Sequence, residues 1–528
     1  MTSVREIFAL SREQVRLARP YGTIRLTSRA DGEEQNATIQ RFPIPSSDPL
    51  DPLNWPMWLK AMSLTCMSLY AFATNLASAS LSSAFPLMAT PLGFDPPRPI
   101  GDLSYLVSVN VLMVGVANIL WVPLAGVIGR RPVILLGVLL LTVSSVWAAS
   151  TRNFGSYLTA RIIMGTGGAA ADTVAPIVIG EIFFTHERGR CMAIYTVMLA
   201  SAPLIGGISG GYIAANLGVP WINWINAIIS GALLVLCVFF QPETLFIRPP
   251  PQHEELAEPK GGVKSVQKIE GIQVQKHPEA RPVSYLAAMR VWTYRPGFWS
   301  RLLESLLAFR LPGTWVVMLW YGALIAGLVT MSTVGPTLVA SPPYLWGQHV
   351  GLINVGGAVG VILGLLLTVP FADWILNIQA RRSQNGYVEA ESRLPIAVPG
   401  LFLATAGMWT FGFCAAHPSS TGWVGMQFGI GMVSFGVLQV PSIGFNYILD
   451  AYGPASADCF LIITVVRAII SFCWTFFAAE WVTSAGPAVP FGVFGGIMGL
   501  FSFLMIPLIV WGKRLRILTD QWVPKSAI

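Results

Sequence analysis

The chain has 528 residues, of which 54% are hydrophobic and 11% charged, with a mean hydropathy of +0.61 and a net charge of +7. Soluble globular chains carry about 25% charged residues, so this composition excludes a soluble protein and describes a polytopic membrane protein. The positive charge sorts by loop and forms no patch, which excludes a nucleic-acid partner, and Cys66, Cys191, Cys237, Cys414, Cys459 and Cys473 lie in or beside apolar segments as small hydrophobes.

Residues 1–50 carry Arg5, Arg12, Arg16, Arg19, Arg25, Arg29 and Arg41 and no apolar core segment, so no signal peptide is expected. Twelve apolar runs then reach the length of about 20 residues that a bilayer requires. The first six cover 61–85, 103–124, 132–150, 155–183, 191–214 and 220–240. The second six cover 314–339, 348–372, 395–415, 422–446, 456–480 and 489–511. With an even count both tails share one side, and that side holds 29 of the 33 Lys and Arg residues. The bias places both termini in the cytosol, where the Asn36-Ala-Thr sequon stays unused.

The expected fold class is an all-α polytopic membrane protein with twelve transmembrane helices in two six-helix bundles. Its parts are a cytosolic tail (1–56), a first bundle (57–241), a Pro-, Gly-, Glu- and Lys-rich cytosolic linker (242–312), a second bundle (313–511) and a cytosolic tail (512–528). A short amphipathic helix is expected near Tyr285–Arg290. Six plus six is itself a transporter signal, because two repeated bundles can rock about a shared central site.

The second predicted span ends in a tight turn at Gly129, followed by Arg130 and Arg131 at the cytosolic mouth. The pair reads either as a positive anchor or as a gate latch. The fourth span holds an arginine and an aspartate well inside its ends. Arg161, Gly165, Gly168 and Asp172 step by four, three and four residues and share one helix face, with the charges about 16 Å apart. Charge in hydrocarbon costs roughly 2.5–3.5 kcal/mol on insertion scales, so each needs water, another helix or a ligand. Asp172 is either a proton carrier or a hydrogen-bonded core carboxyl, and Arg161 either serves it or snorkels outward. Arg467 is the other intramembrane charge, with an anchoring or an inward role. His349 reads as an interface residue rather than a proton relay.

The fifth span carries Pro203, Gly206 and Gly207, a kinked helix with a small-residue stripe, and the eighth offers Gly356, Gly360 and Gly364 as its complement between bundles. Tyr70, Asn110, Tyr195, Asn226, Trp320, Asn354, Gln427 and Gln439, with Asn75, Asn118 and Trp474, fall near mid-membrane and suit a tolerant, greasy substrate cavity. No phosphate loop, metal-spaced His/Cys cluster or Gly-x-Ser-x-Gly elbow occurs, so neither an enzyme nor an ATP-driven pump is expected.

These motifs resemble the major facilitator superfamily, whose loop signature G-x-x-x-D-x-x-G-R-[RK] is met at Gly129, Arg130 and Arg131. Val122 and Gly126 stand where its first Gly and its Asp are expected. The run from Asp373 through Arg381, Arg382, Glu389, Glu391 and Arg393, and the turn His186-Glu187-Arg188-Gly189, resemble fungal members of the twelve-helix drug:proton antiporter group. Arg161 with Gly165 resembles that group's element in helix 4, and Gly189, Pro203, Gly206 and Gly207 its element in helix 5, from which Met198 and Ala202 depart. The resemblance implies the major facilitator fold, proton coupling through Asp172 and Arg161, and a cytosolic gate of Gly129, Arg130, Arg131, Glu187, Arg188, Asp373, Arg381 and Arg382. It implies efflux of a drug or secondary metabolite driven by the proton gradient, with no cofactor. Its partners are the lipid bilayer, a small-molecule substrate and protons, and a monomer in the plasma membrane is expected, with the vacuolar membrane as the alternative. A proton-coupled importer or passive facilitator of a nutrient such as a polyamine or sugar stays open.

Overall fold

Pro56 ends an extended approach and a helix starts at Met57, the fixed φ of proline suiting this boundary. Just before it, the Asp51 carboxylate accepts from the Leu53 N–H at 3.0 Å, and the Lys60 ammonium donates to the Leu53 carbonyl at 3.0 Å, tying the turn onto the helix. The computed structural model describes residues 14–15, 23–25, 27–28, 38–39, 46, 48–89, 99–246, 288–290, 294–382 and 387–519.

Among the described residues, α1 (Met57–Ala79), α2 (Gly101–Ile128), α3 (Arg130–Ser150), α4 (Phe154–Ile182), α5 (Glu187–Asn216) and α6 (Val219–Phe240) make the first bundle. The second comprises α7 (Pro312–Ala340), α8 (Gly347–Thr368), α9 (Ala390–Ala416), α10 (Gly422–Tyr452), α11 (Ser456–Ala478) and α12 (Ala488–Thr519). Eleven of the twelve are long and apolar enough to cross a bilayer. The twelfth, α1, has 23 residues, about 34 Å of helix, but Ser63, Thr65, Ser68, Thr74, Asn75 and Ser78 dilute its apolarity.

Helix α1 packs on α5 and α6, and α3 on α4 and α6; in the second bundle α10 packs on α8 and α9, and α12 on α9. The bundles meet along two seams, α2 against α11 and α5 against α10 and the start of α8. The face on which α1 begins and α12 ends is called the terminal face below, and the opposite one the far face.

Four strands of two or three residues add to the helices: β1 (Thr23–Arg25), β2 (Thr27–Ser28), β3 (Thr38–Ile39) and β4 (Tyr387–Glu389). β1 pairs antiparallel with β4, and β2 with β3. Beyond β4, Glu389 and Glu391 clasp the end of α12. The Arg516 guanidinium donates to Glu391 Oε1 at 2.6 Å and to Glu389 Oε2 at 2.7 Å, and the Lys513 ammonium donates to Glu389 Oε1 at 2.6 Å. Burial opposes ionisation of Glu389, but the hydrogen bonds from Lys513 and Arg516 outweigh it and hold the carboxyl below its usual range. A depressed folded pKa contributes stability that is complete above the ordinary glutamate value of about 4.3 and is lost as pH falls through the lower folded value. Melting temperature should therefore fall in acid more steeply in the wild type than in Glu389→Gln. At neutral pH the variant should be less stable by about 1 kcal/mol.

Of the helix expected near Tyr285–Arg290, only residues 288–290 are described. A different linker helix, Phe298–Leu307, is well formed. Arg301 and Ser305 face the protein, the Ser305 hydroxyl donating to the Asp458 carboxylate, while Trp299, Leu303 and Leu306 are exposed. Apolar groups turned outward beside membrane helices suit a helix lying in the bilayer interface.

Candidate functional site

The regular ladder of α4 is interrupted at Ala169, where a tightened turn lets the Asp172 N–H reach the Ala169 carbonyl at 3.1 Å. Beyond this break Asp172 meets Arg467 of α11. Arg467 Nη2 donates to Asp172 Oδ2, and both side chains are buried. This ion pair joins the two bundles in the interior of the membrane part. The guanidinium also stands over the Tyr321 ring of α7, 4.9 Å from its centroid. Asn75 of α1, and Tyr70 and Tyr195 of α1 and α5, complete the surroundings of the pair.

Arg161 takes no part in this pair. Its Nη1 donates to the Ala77 carbonyl at 2.7 Å, Nη2 to the Ser78 carbonyl at 2.8 Å and Nε to the Leu106 carbonyl at 3.2 Å. Ala77 and Ser78 lie in the last turn of α1, whose carbonyls lack intrahelical donors and carry the negative end of the helix dipole. Arg161, with 0% exposure, thus caps α1 from a neighbouring helix. Arg161, Gly168 and Asp172 keep a common face toward α1, where they meet Ala77 and Ser78, Thr74 and Asn75 in turn.

Between the bundles, toward the far face, lies a cavity of about 40 Å³. Asn75, Ser78, Ala79 and Ser82 line it from α1 and the turn after it, Val107, Val111 and Val114 from α2, and Pro203 from α5. The second bundle contributes Ile325, Val329, Ser332 and Thr333 of α7 and Arg467 of α11. None of the eight residues expected to bind substrate is in this lining; most of them hydrogen-bond within the helix packing, while Asn354 Oδ1 and Gln439 Oε1 make no hydrogen bond among the described residues. The Tyr70 hydroxyl donates to the Gly167 carbonyl, Tyr195 to Ala171 at 2.9 Å, and the Trp320 indole to Phe501 at 2.9 Å. Asn110 donates to the Arg161 carbonyl at 2.8 Å, Gln427 to Leu352 at 3.2 Å and Asn354 to Gly351 at 3.3 Å. Asn226 reaches the Ser80 hydroxyl at 3.3 Å, and Gln439 lies against Gly400 of α9. A buried polar group takes the nearest backbone partner, and depth along a span does not say whether that partner is present.

The small residues divide between the seams. A Cβ on Gly207 would stand 2.5 Å from Asn354 Nδ2, across the bundles, whereas one on Gly206 would meet the backbone of Leu76 and Ser80 within the first bundle at 3.1 Å. Gly356 and Gly360 face Gln427 and Gly431 of α10, inside the second bundle. The complement to α5 is therefore not these two but Gly351 and Gly357. Their added Cβ atoms would lie 2.4 Å from the Gly207 carbonyl oxygen and 2.5 Å from Leu204 Cδ2. Nearby, Tyr212 Oη and His349 Nδ1 share a hydrogen bond of 2.8 Å across the same seam. Gly351→Val should hold this far-face seam open, shifting the population by five- to a hundredfold for a clash of about 1–3 kcal/mol. Disulfide trapping between cysteines placed at positions 212 and 349 measures it.

Residues 67–458 match the family model of the Major Facilitator Superfamily. The chain belongs to the major facilitator superfamily. An uncharacterized MFS-type transporter of Schizosaccharomyces pombe is 26% identical over 93% of this chain and 90% of its own length. The efflux pump FUB11 of Gibberella moniliformis is 26% identical over 82% of this chain and 69% of the pump. The proton:xylose symporter XylE of E. coli superposes with a TM-score of 0.59 at 15% identity, covering 89% of this chain and 100% of the symporter, a likeness of fold.

The superfamily's loop signature forms the terminal-face clasp of the first bundle. Gly129 turns with φ of 106°, and a Cβ there would stand 2.4 Å from Glu243 Oε2. The Glu243 carboxylate accepts from the N–H groups of Arg130 and Arg131 at 2.9 and 3.0 Å, capping the start of α3. Arg130 pairs with Glu181 at 2.9 Å, and Arg131 donates to the Val238 carbonyl at 2.7 Å. At Gly126, where the signature has Asp, the Arg301 guanidinium of the linker helix covers the backbone, 2.6 Å from where a Cβ would stand. A contact that crosses the bundles on this face is made by Arg188, 3.8 Å from Asp450 of α10, which Arg393 also approaches at 3.3 Å. Glu187 stands beside it at the start of α5. The side chains of His186, Asp373, Arg381 and Arg382 lie outside the described residues. Sequence reasoning noted Glu243 only within a loosely shared Pro242-Glu243-Thr244 run that discriminates little, and did not single out Asp450, Ser78 and Ser332. The Pro-Glu-Thr run and the Ser-Thr step inside α7 were the available signals.

Proposed function

We propose that this major facilitator superfamily chain is a proton-coupled secondary transporter of a small organic molecule, with Asp172 as its proton acceptor. The observation that carries the reading is the buried ion pair between Asp172 and Arg467, which spans the two bundles. Protonating Asp172 removes the attraction and leaves an uncompensated guanidinium, a change worth several kcal/mol in a dry interior. That is enough to move a two-state equilibrium between closure at one face and at the other. Arg161 holds the end of α1 in this scheme, and Arg188, Asp450 and Arg393 act as the terminal-face gate, with both termini cytosolic and the plasma membrane as the site of action.

Direction follows from what competes with the proton. The efflux pump among its relatives supports export in exchange for protons. The lining of the cavity by Arg467, and not by Asp172, favours a second reading in which an anionic solute travels with the proton. Proteoliposomes loaded with a pH-sensitive dye test the coupling. A transported solute from a metabolite panel should move protons through the wild type and not through Asp172→Asn, which should still exchange solute at equal concentrations. Proton movement retained in that variant, or solute movement indifferent to a collapsed pH gradient, overturns the reading.

A further inference from the structure

We propose that the inter-bundle cavity is an organic-anion site, built to take the carboxylate or sulfonate head group of a small solute on Arg467, Ser78 and Ser332. The inference rests on proton coupling at Asp172 and adds the substrate class.

Hydroxyls inside helices usually fold back onto the carbonyl four residues earlier. Thr333 does so, donating to Val329 at 2.8 Å, and Ser82 donates to the Ala79 carbonyl at 2.8 Å. Ser78 and Ser332 line the same cavity and do not. Among the described residues, neither their hydroxyls nor Arg467 Nε makes a hydrogen bond, although all three residues are buried. These three buried donors without acceptors, from α1, α7 and α11, belong to residues that line one cavity. A buried donor without a partner is costly, and of the side-chain atoms left so among the described residues, these three are the ones on residues that line the cavity. The group that satisfies three donors, one of them a guanidinium, is an oxyanion. A cation would meet Arg467 at the cavity wall with no carboxylate in the lining.

Among the described residues, the other titratable groups facing the pair are the phenols of Tyr70, Tyr195 and Tyr321, from α1, α5 and α7. Asp172 is thus the acidic partner of Arg467, and a bound anion competes with it for one buried positive charge. Binding the anion while Asp172 is ionised leaves an excess negative charge in hydrocarbon, and binding it with Asp172 protonated leaves none. One proton therefore accompanies one monoanion, and the combined step is electroneutral. The valines of α2 and Ile325 and Val329 of α7 offer an apolar wall to the rest of the solute as the bundles part.

The test uses the full-length purified protein and three probes of similar size: benzenesulfonate, which stays anionic at every working pH, its neutral amide and benzylammonium. Isothermal titration should show benzenesulfonate binding that tightens by about tenfold per unit fall in pH while Asp172 is ionised. The neutral amide and the cation should be at least tenfold weaker. Asp172→Asn should bind it tightly and without pH dependence. Arg467→Gln should not bind it; if that variant does not fold, Arg467→Lys and the double variant Ser78→Ala/Ser332→Ala should each bind about ten- to a hundredfold more weakly. Unchanged affinity in these variants, or preference for benzylammonium, overturns the anion site and leaves proton coupling standing. Proton-coupled flux that persists in Asp172→Asn overturns the coupling, whatever the sulfonate does.

Discussion

Replacing Arg467 with leucine is expected to destabilise the protein by about 3–5 kcal/mol, because it strands the Asp172 carboxylate in a dry interior. Both members of the pair are nearly inaccessible, so solvent cannot relieve the charge. Part of the penalty is avoided if Asp172 takes a proton, and the variant should then be frozen in its protonated behaviour. Removing both charges in Asp172→Asn/Arg467→Gln should restore most of the stability, since a neutral pair has nothing left to desolvate. Thermal melting of the wild type, Asp172→Asn, Arg467→Gln and the double variant in one detergent gives the coupling energy, and additive losses would show that the two residues do not depend on each other.

Arg161→Leu is the second large effect, with an expected loss of about 3–5 kcal/mol. Its guanidinium serves three backbone carbonyls, two of them at the end of α1, where no amide follows to accept the duty. Arg161→Lys keeps the charge but not the fork and should fall between the two. The decisive measurement is the pH profile of transport in the lysine variant. A cap on α1 predicts an unchanged profile at reduced yield of folded protein. A displaced profile would instead return Arg161 to the proton path that its resemblance to the antiporter element implies.

Much of the architecture was legible before any coordinates. The cost of exposing polar backbone and charge to hydrocarbon acts residue by residue, so twelve long apolar runs, the mid-chain linker and the three intramembrane charges could be read from local pattern. The small-residue stripe of α5 was legible as a close contact, and Gly207 does meet the second bundle. Its partners were not, because which face of α8 turns toward α5 depends on the rotation of a packed helix. Gly351 and Gly357 face α5 while Gly356 and Gly360 face α10, a difference of one to a few positions along the same sequence. The eight polar mid-membrane residues lie outside the cavity lining for a related reason. Their depth was readable, but their acceptors belong largely to neighbouring helices.

What the sequence by itself determined is the membrane class, the two six-helix halves, the superfamily and the presence of Arg161, Asp172 and Arg467 at hydrocarbon depth. Only the tertiary structure decided that Asp172 meets Arg467, 295 residues away, and that Arg161 caps α1. A lipid environment sets the penalty for a buried charge at each position alone. The partner that relieves it is chosen by how the helices cross and turn against one another.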